Sequence, residues 1–388
     1  ASGSGGSTIS GGYTNAASGA HSAIGGGQNN TASSTHSTVA GGQSNTASSC
    51  CAFVGGGYNN RATTWGAVVV GGTGNLVCGP YKAAIVGGSA NTSSGYYSFI
   101  GAGYANCICN VYSGTISGGY QNTISSGCQG TIGGGRANTV SGVWGTVSGG
   151  ISNTANGSIA TIGGGNSNSA SAAASVVSGG QSNTVSGNCS NISGGSCNTA
   201  NSPWSSVGGG YANIASNSWG KVSGGLANTA SGYLSFVGAG DCNVASGTRS
   251  SVLGGYANTI SGACSGGGGD NITGGCARTF YWNNFCATSC MWAAAYFESS
   301  DETLKNIHCR VNSFDNINPI YFKWKEGDSS RINIGYSAQN VQEILPDSVR
   351  TDEKGKLNVD YHQVHIYKMM TLEERIAKLE DKLKKYEA

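Results

Sequence analysis

The run Ser300-Asp301-Glu302-Thr303-Leu304-Lys305-Asn306-Ile307 holds the one plausible catalytic pair in the chain, Ser300 with Lys305. A serine hydroxyl is a poor nucleophile until a base takes its proton. Lysine serves as that base only where burial pulls its pKa well below the solvent value of about 10.4. An offset of five residues does not place both groups on one helical face. A bend, or a lysine from a neighbouring chain, would have to bring them together. A structural reading stands beside this one: Ser299 with Glu302 has the spacing of a capping box, opening a helix through Leu304 and Ile307. Asp301 could orient Lys305 or merely cap that helix.

This run lies where the composition changes most sharply. The 388 residues carry a net charge of +2, which by itself suggests neither nucleic acid nor an anionic membrane as partner. Residues 1–297 hold six basic side chains (Arg61, Lys82, Arg136, Lys221, Arg249, Arg278) and two acids, Asp241 and Asp270. Residues 298–388 hold 14 basic and 16 acidic side chains. No apolar run is long enough to span a bilayer. The start, Ala-Ser-Gly-Ser-Gly-Gly, lacks the basic and apolar regions of a signal peptide and reads as trimmed, or as preceded by further chain.

Such a low charge with 67 glycines would suggest disorder if there were no period. There is one. Asparagine recurs 17 times from Asn15 to Asn258, evenly through Asn30, Asn45, Asn60 and Asn75, then with an occasional step one position longer, as to Asn91. Three positions before each stands Gly, six before stands Val or Ile, and two after stands Ala, Val or Ile in every unit except at Ser93. The pattern predicts a parallel β-coil with two short strands per turn. A β-branched residue at a fixed place stacks on its copies as an inward ladder. Glycine supplies a corner with positive φ, and asparagine tolerates or bonds to the backbone of a second corner. At roughly 4.8 Å per stacked strand, the 17 coils make a rod on the order of 80 Å.

One such coil has a thin interior, small against the entropy of ordering its residues. Lateral association into a homotrimer is therefore expected. The columns, in stretches such as Gly41-Gly42-Gln43-Ser44-Asn45-Thr46-Ala47-Ser48, resemble the haemagglutinin-like β-roll repeats of trimeric autotransporter adhesin heads over about 260 residues.

Other side chains add expectations. Asp241 and Asp270 are the only acids available for a glycosidase pair, and their phases relative to the repeat differ. Tyr13, Tyr58, Tyr104, Tyr120, Tyr211 and Tyr256 share an outward column, either a sugar-stacking surface or a solvated edge. Of the 14 cysteines, Cys51, Cys128, Cys189 and Cys264 share a column but lie several coils apart. Cys78 and Cys109 replace the usual Ser two coils apart, too far to bridge. Most cysteines thus read as small buried hydrophobes in a reducing compartment. Cys276, Cys286 and Cys290 lack paired zinc spacing; no metal and no cofactor are expected.

After Asn271 the period fails, and Thr279-Phe280-Tyr281-Trp282-Asn283-Asn284-Phe285 opens an aromatic stretch that either caps the stack or forms a receptor-binding tip. Beyond it, the run from Ser300 to Ile307 is followed by Pro319 with Tyr321-Phe322-Lys323-Trp324, by Gly335-Tyr336-Ser337-Ala338-Gln339-Asn340-Val341, and by Val359-Asp360-Tyr361. In that order these motifs resemble the endosialidase-type intramolecular chaperone domain at the C-termini of phage tail spikes and fibres, over about 88 residues. Tyr336 and Ser337 stand where an apolar residue is expected before Ala-Gln. The resemblance implies a single self-cleavage next to Ser300, with Ser300 as nucleophile and Lys305 as general base. His308 reads as surface, while His362 and His365 belong to a terminal helix. In that helix His362, His365, Met369, Leu372, Ile376, Leu379, Leu383 and Tyr386 alternate steps of three and four, a short coiled-coil seam.

The expected fold class is mainly β, a trimeric parallel β-solenoid of about 15-residue repeats followed by a small α+β domain. The expected domains are the repeat at 1–278, an aromatic connector at 279–298, the chaperone domain at 299–361 and a coiled-coil helix at 362–388. The expected partners are two further copies and a host-surface glycan or receptor, without nucleic acid or membrane insertion. The expected place is a virion fibre or spike assembled in a reducing cytoplasm.

Overall fold

The computed structural model describes residues 5–282, 297–299, 305–310, 316–324, 333–352 and 355–387. The chain divides into two compact units, residues 1–285 and 286–388.

The first unit is a parallel β-solenoid. One coil shows the rule. Thr146–Val147 forms a two-residue strand, Gly149 and Gly150 turn the chain, and Thr154–Ala155 forms the second strand. In each strand the second residue faces inward: Val147 and Ala155 are fully buried while Thr146 and Thr154 are half-buried. Each strand pairs in register with its copy one coil on, Val147 with Ile162 and Ala155 with Ala170. The two parallel ladders run from Thr8–Ile9 to Phe280–Trp282 and from Ala16–Ala17 to Thr273–Gly274.

The asparagines act through their side chains. Asn153 is fully buried, and its Nδ2 donates to the Gly149 and Gly165 carbonyls, both at 3.0 Å. Its Oδ1 accepts the backbone N–H of Asn168, at 3.0 Å. Each amide thus satisfies its own corner, the corner of the next coil, and the next asparagine's backbone. The positive φ expected near asparagine falls on the residue before it, such as Ser152 at 55°. A further left-handed residue opens the other corner, Ile159 at 59° in this coil. The interior also has an inward column of small residues that the repeat pattern did not single out, including Ser37, Ala52, Ala67, Ala160 and Ser175.

The longer units, such as that from Asn75 to Asn91, place their extra residue between the asparagine and this small column. After Asn60 the next strand is Val68–Val69, whereas after Asn75 it is Ala84–Ile85. The shift moves Cys128 out of the column it was expected to share with Cys51, Cys189 and Cys264. Cys128 pairs with Tyr112, and the left-handed corner passes to Gln129.

The stack continues past Asn271. Ile272 donates its N–H to Asn258 Oδ1 at 3.0 Å, so an isoleucine now stands where the ladder asparagine would be. The last rung pairs Gly266, Gly267 and Gly268 with Phe280, Tyr281 and Trp282. A Cβ at Gly267 would lie 2.6 Å from the Tyr281 carbonyl, and one at Gly274 would lie 2.4 Å from the Tyr281 ring. Glycines therefore replace the usual inward aliphatics, and Tyr281 packs against the end of the core. This supports the capping reading for Phe280–Trp282; residues 283–296 of the connector lie outside the described residues.

The second unit is α+β. Strands β1 (Phe297–Ser299), β6 (Leu357–Asp360) and β5 (Val349–Thr351) make one antiparallel sheet. Strands β2 (Lys305–Arg310), β3 (Pro319–Trp324) and β4 (Asn333–Tyr336) make the other. Helix α1 (Ala338–Ile344) follows β4, and α2 (Tyr361–Glu387) follows β6. Ile317, Ala338, Val341, Val359 and Val364 form the core. Among the described residues, no helix is long and apolar enough to cross a membrane.

The corner geometry gives a paired expectation. A Cβ at Gly150 (φ 92°) would lie 2.2 Å from the Gly165 carbonyl and 2.6 Å from Asn153 Nδ2, whereas one at Gly149 meets nothing within 4 Å. Gly150→Ala should cost more than about 1–2 kcal/mol and lower the melting temperature. Gly149→Ala should leave the thermal unfolding curve unchanged or shift it upward.

Candidate functional site

The proposed nucleophile and base flank a crossing between two sheets. Strand β1 ends at Ser299, paired with Asn358. Strand β2 begins at Lys305, paired with Trp324. Residues 300–304 carry the chain from one sheet to the other. Ser300 and Asp301, with the expected cut beside Ser300, lie outside the described residues. Lys305 is described through its backbone only.

The capping-box reading is overturned. Lys305, Asn306 and Ile307 are paired with Trp324, Lys323 and Phe322 in an antiparallel sheet, so no helix runs from Ser299 through Ile307. The cross-strand run Pro319–Trp324, rich in aromatic and β-branched residues, supplies a partner that a local pattern cannot show. The register shifts between Ile307 and Cys309, so the pairing passes over His308. Such bulges locally re-aim a strand and occur often beside active sites.

The elements behind the crossing are well tied. Ser337 caps α1 by accepting the Asn340 N–H at 3.2 Å. Tyr336 packs on Tyr361, with ring centroids 5.5 Å apart, and on His365 at 6.2 Å. Its N–H donates to the Tyr361 hydroxyl at 3.1 Å. The two residues that depart from the expected apolar position thus have structural duties, one as a helix cap and one as an aromatic contact. Lys368 Nζ donates to the Ile317 carbonyl at 2.9 Å, holding α2 to the unit.

Residues 300–350 match the family described as chaperone of endosialidase. The match starts at Ser300, directly after β1, and takes in β2, β3, β4 and α1. The chain therefore joins a β-solenoid to a C-terminal domain of endosialidase-chaperone type. No curated protein matches it significantly.

The solenoid surface corrects several expectations. Among the described residues the free cysteines are not buried hydrophobes: Cys51, Cys78, Cys128, Cys189, Cys197, Cys242, Cys264 and Cys276 are exposed, and Cys50 is half-buried. They occupy corner and outward positions, where nothing demands a small apolar group. The inference of a reducing compartment from buried thiols loses its basis. Cys107 and Cys109 are joined in a disulfide within one coil, with Cα atoms 6.0 Å apart. A search between coils alone could not find that pair. Cys50 beside Cys51 holds the Cys51 thiol above its ordinary range by a side-chain hydrogen bond, and Asp241 does the same to Cys242.

Asp241 and Asp270 share one outward column after all. Asp241 pairs with Tyr256, and Tyr256 with Asp270. The shortened step to Ile272 brings Asp270 into phase, which counting from Asn271 misses. Asp270 Oδ1 accepts the Tyr256 N–H at 3.2 Å, so this carboxylate is already tied to the intervening rung. The six column tyrosines are all exposed. A second aromatic ladder was missed in the sequence: Trp65, Tyr81, Tyr96 and Tyr112 follow one another with ring centroids 6.1 Å apart edge-on, 5.9 Å apart tilted and 6.0 Å apart stacked. Its recurrence once per coil was the available signal.

Exposure of the thiols predicts that Cys189 and Cys264 react with iodoacetamide in the native, reduced protein as fast as in the unfolded chain. Mass spectrometry after brief labelling checks this; protection of both residues until unfolding would refute it.

Proposed function

We propose that the chain is a trimeric fibre protein, of the virion or tail-fibre kind, whose solenoid carries host-surface attachment. Its C-terminal domain serves as an intramolecular chaperone for trimerisation and is released by autoproteolysis next to Ser300. The observation that carries the reading is the family match beginning at Ser300, where the chain crosses between two sheets. Ser300 and Lys305 are only five positions apart in the chain, close enough to meet across a bend, and holding two reacting groups together lowers the barrier to attack. Lys305 then accepts the hydroxyl proton as Ser300 attacks a neighbouring peptide carbonyl.

Trimerisation rests on two features. The solenoid interior is thin, with one Val or Ile, one further inward residue that is most often Ala, and one small residue such as Ala52 or Ser37 per coil beside a buried asparagine. The seam of α2 has no cover among the described residues: Met369, Leu372, Ile376, Leu379 and Leu383 are exposed, while Val364, which lies off that seam, is buried in the core of the unit. A coiled coil of three such helices raises the local concentration of three solenoids. Registering parallel coils is slow and prone to slippage, which gives a removable clamp its use.

Denaturing electrophoresis of the expressed chain should show two products, the smaller beginning at or beside Ser300 by N-terminal sequencing. Ser300→Ala and Lys305→Met should each leave a single band, with sedimentation still reporting trimers. Cleavage that persists in Ser300→Ala removes the dyad; one wild-type band leaves a fibre whose clamp stays attached. A chain ending at residue 297 should refold poorly from denaturant, and efficient recovery of the rod by that shortened chain would defeat the chaperone reading.

A further inference from the structure

The second and third coils bring together a group of side chains with metal-binding chemistry. His36, Cys50 and Cys51 have their ligand atoms within 4.8 Å of one another. Cys50 Sγ and Cys51 Sγ are 3.4 Å apart. His36 and Cys51 stand in equivalent left-handed corner positions of successive coils, with φ of 55° and 58°. The rungs are pinned on both sides: the His36 N–H donates to the Ala20 carbonyl at 2.9 Å, and the Cys51 N–H donates to the Thr35 carbonyl at 3.0 Å. The His21 ring lies over His36 with centroids 5.2 Å apart and planes within 12°, which restrains the imidazole from the side away from the thiols.

We propose that His36, Cys50 and Cys51 form a binding site for a thiophilic divalent cation of the zinc class. Two thiolates and one neutral imidazole match the borderline softness of such an ion and neutralise its charge. Tetrahedral bonds of about 2.3 Å to sulfur and about 2.0–2.1 Å to nitrogen put ligand atoms about 3.4–3.8 Å apart, close to the 3.4 Å between the two sulfurs and to the 4.8 Å that bounds all three pairs here. Binding forms two metal–sulfur bonds and one metal–nitrogen bond and releases the two thiol protons to solvent. Solvent supplies the fourth ligand. The ion would clip one coil to the next at the solvent edge, away from the buried line of asparagines. Sequence reading missed the group because His36 and Cys51 stand one whole coil apart in the chain, a separation outside the short zinc patterns. The proposal is independent of the fibre and processing reading.

The test uses the full chain, reduced and freed of reductant without air, titrated with Co2+ as a spectroscopic probe. One equivalent should bind, giving thiolate-to-cobalt charge transfer and the visible bands of a four-coordinate ion, both abolished by an equivalent of Zn2+. Cys50→Ser, Cys51→Ser and His36→Gln should each weaken binding by at least about a hundredfold, since losing even an outer partner of a metal ligand costs about 10–100-fold. Cys189→Ser and Cys264→Ser, at the same corner but without such neighbours, should leave the titration unchanged. Thermal melts establish that each variant is folded. No saturable band in the wild-type chain, or a band unaltered in folded His36→Gln and Cys50→Ser, overturns the proposal. Recovery of Cys50 and Cys51 as a disulfide from the reduced protein does the same.

Discussion

The solenoid depends on one recurring problem, how to satisfy the backbone at a corner where two coils nearly touch. At each such corner a glycine carbonyl faces the preceding coil, and a Cβ there would fall within 2.3 Å of the next glycine's oxygen in most coils, as at Gly42, Gly150 and Gly225. Only glycine fits. Its carbonyl, closed off from water, must find a donor. One donor is a backbone N–H of the preceding coil, as Ile151 to Gly165 at 2.9 Å, and the buried asparagine adds a second, reaching its own corner and the next one from a single amide. Because Oδ1 also takes the following asparagine's N–H, the amides form a continuous hydrogen-bonded line from Asn15 through Asn258 to Ile272. Replacing one breaks several buried hydrogen bonds at once, each worth about 1–3 kcal/mol when left unmade. That is why this column holds asparagine in all 17 units from Asn15 to Asn258 and changes only at the end of the line, at Ile272.

With the corners fixed by backbone and amide, the outward positions are free to diversify. The left-handed corner holds residues as unlike as His21, Tyr97, Trp144, Ile159 and Arg249. An L-residue there costs roughly 1–2 kcal/mol, which contacts between rungs partly offset. Trp204 and Trp219, for example, stack at 5.2 Å with planes 7° apart. The rod is therefore a regular frame that displays rows of variable side chains at fixed spacing, a suitable design for multivalent contact with a repetitive surface.

The C-terminal unit follows opposite rules. It has an apolar core built from elements far apart in sequence, Ile317 with Val341, Val359 and Val364, and its helix leaves an apolar seam uncovered. A frame that is regular along its whole length can be paired one coil out of register at small local cost, whereas a mixed α+β domain cannot. In the proposed trimer, joining the two would give the frame an alignment that its own repeats do not encode.

Repeats were the most legible part of the sequence. The inward columns, the glycine corner and the two strands per coil follow from counting, because a β-coil repeats its chemistry at fixed intervals. The α+β character of the tail was legible through motifs. What the sequence could not decide was anything that depends on which residue lies beside which across coils or sheets. The phase of Asp270 turned on a shortened coil, the place of Cys128 on where one extra residue was inserted, and the state of Lys305–Arg310 on a partner strand, Pro319–Trp324, that local pattern does not reach. The approach of His36 to Cys50 and Cys51 is likewise set by coil stacking alone. Local sequence fixes what a residue can do, but neighbours brought by chain return, at about 4.8 Å per rung, decide what it does.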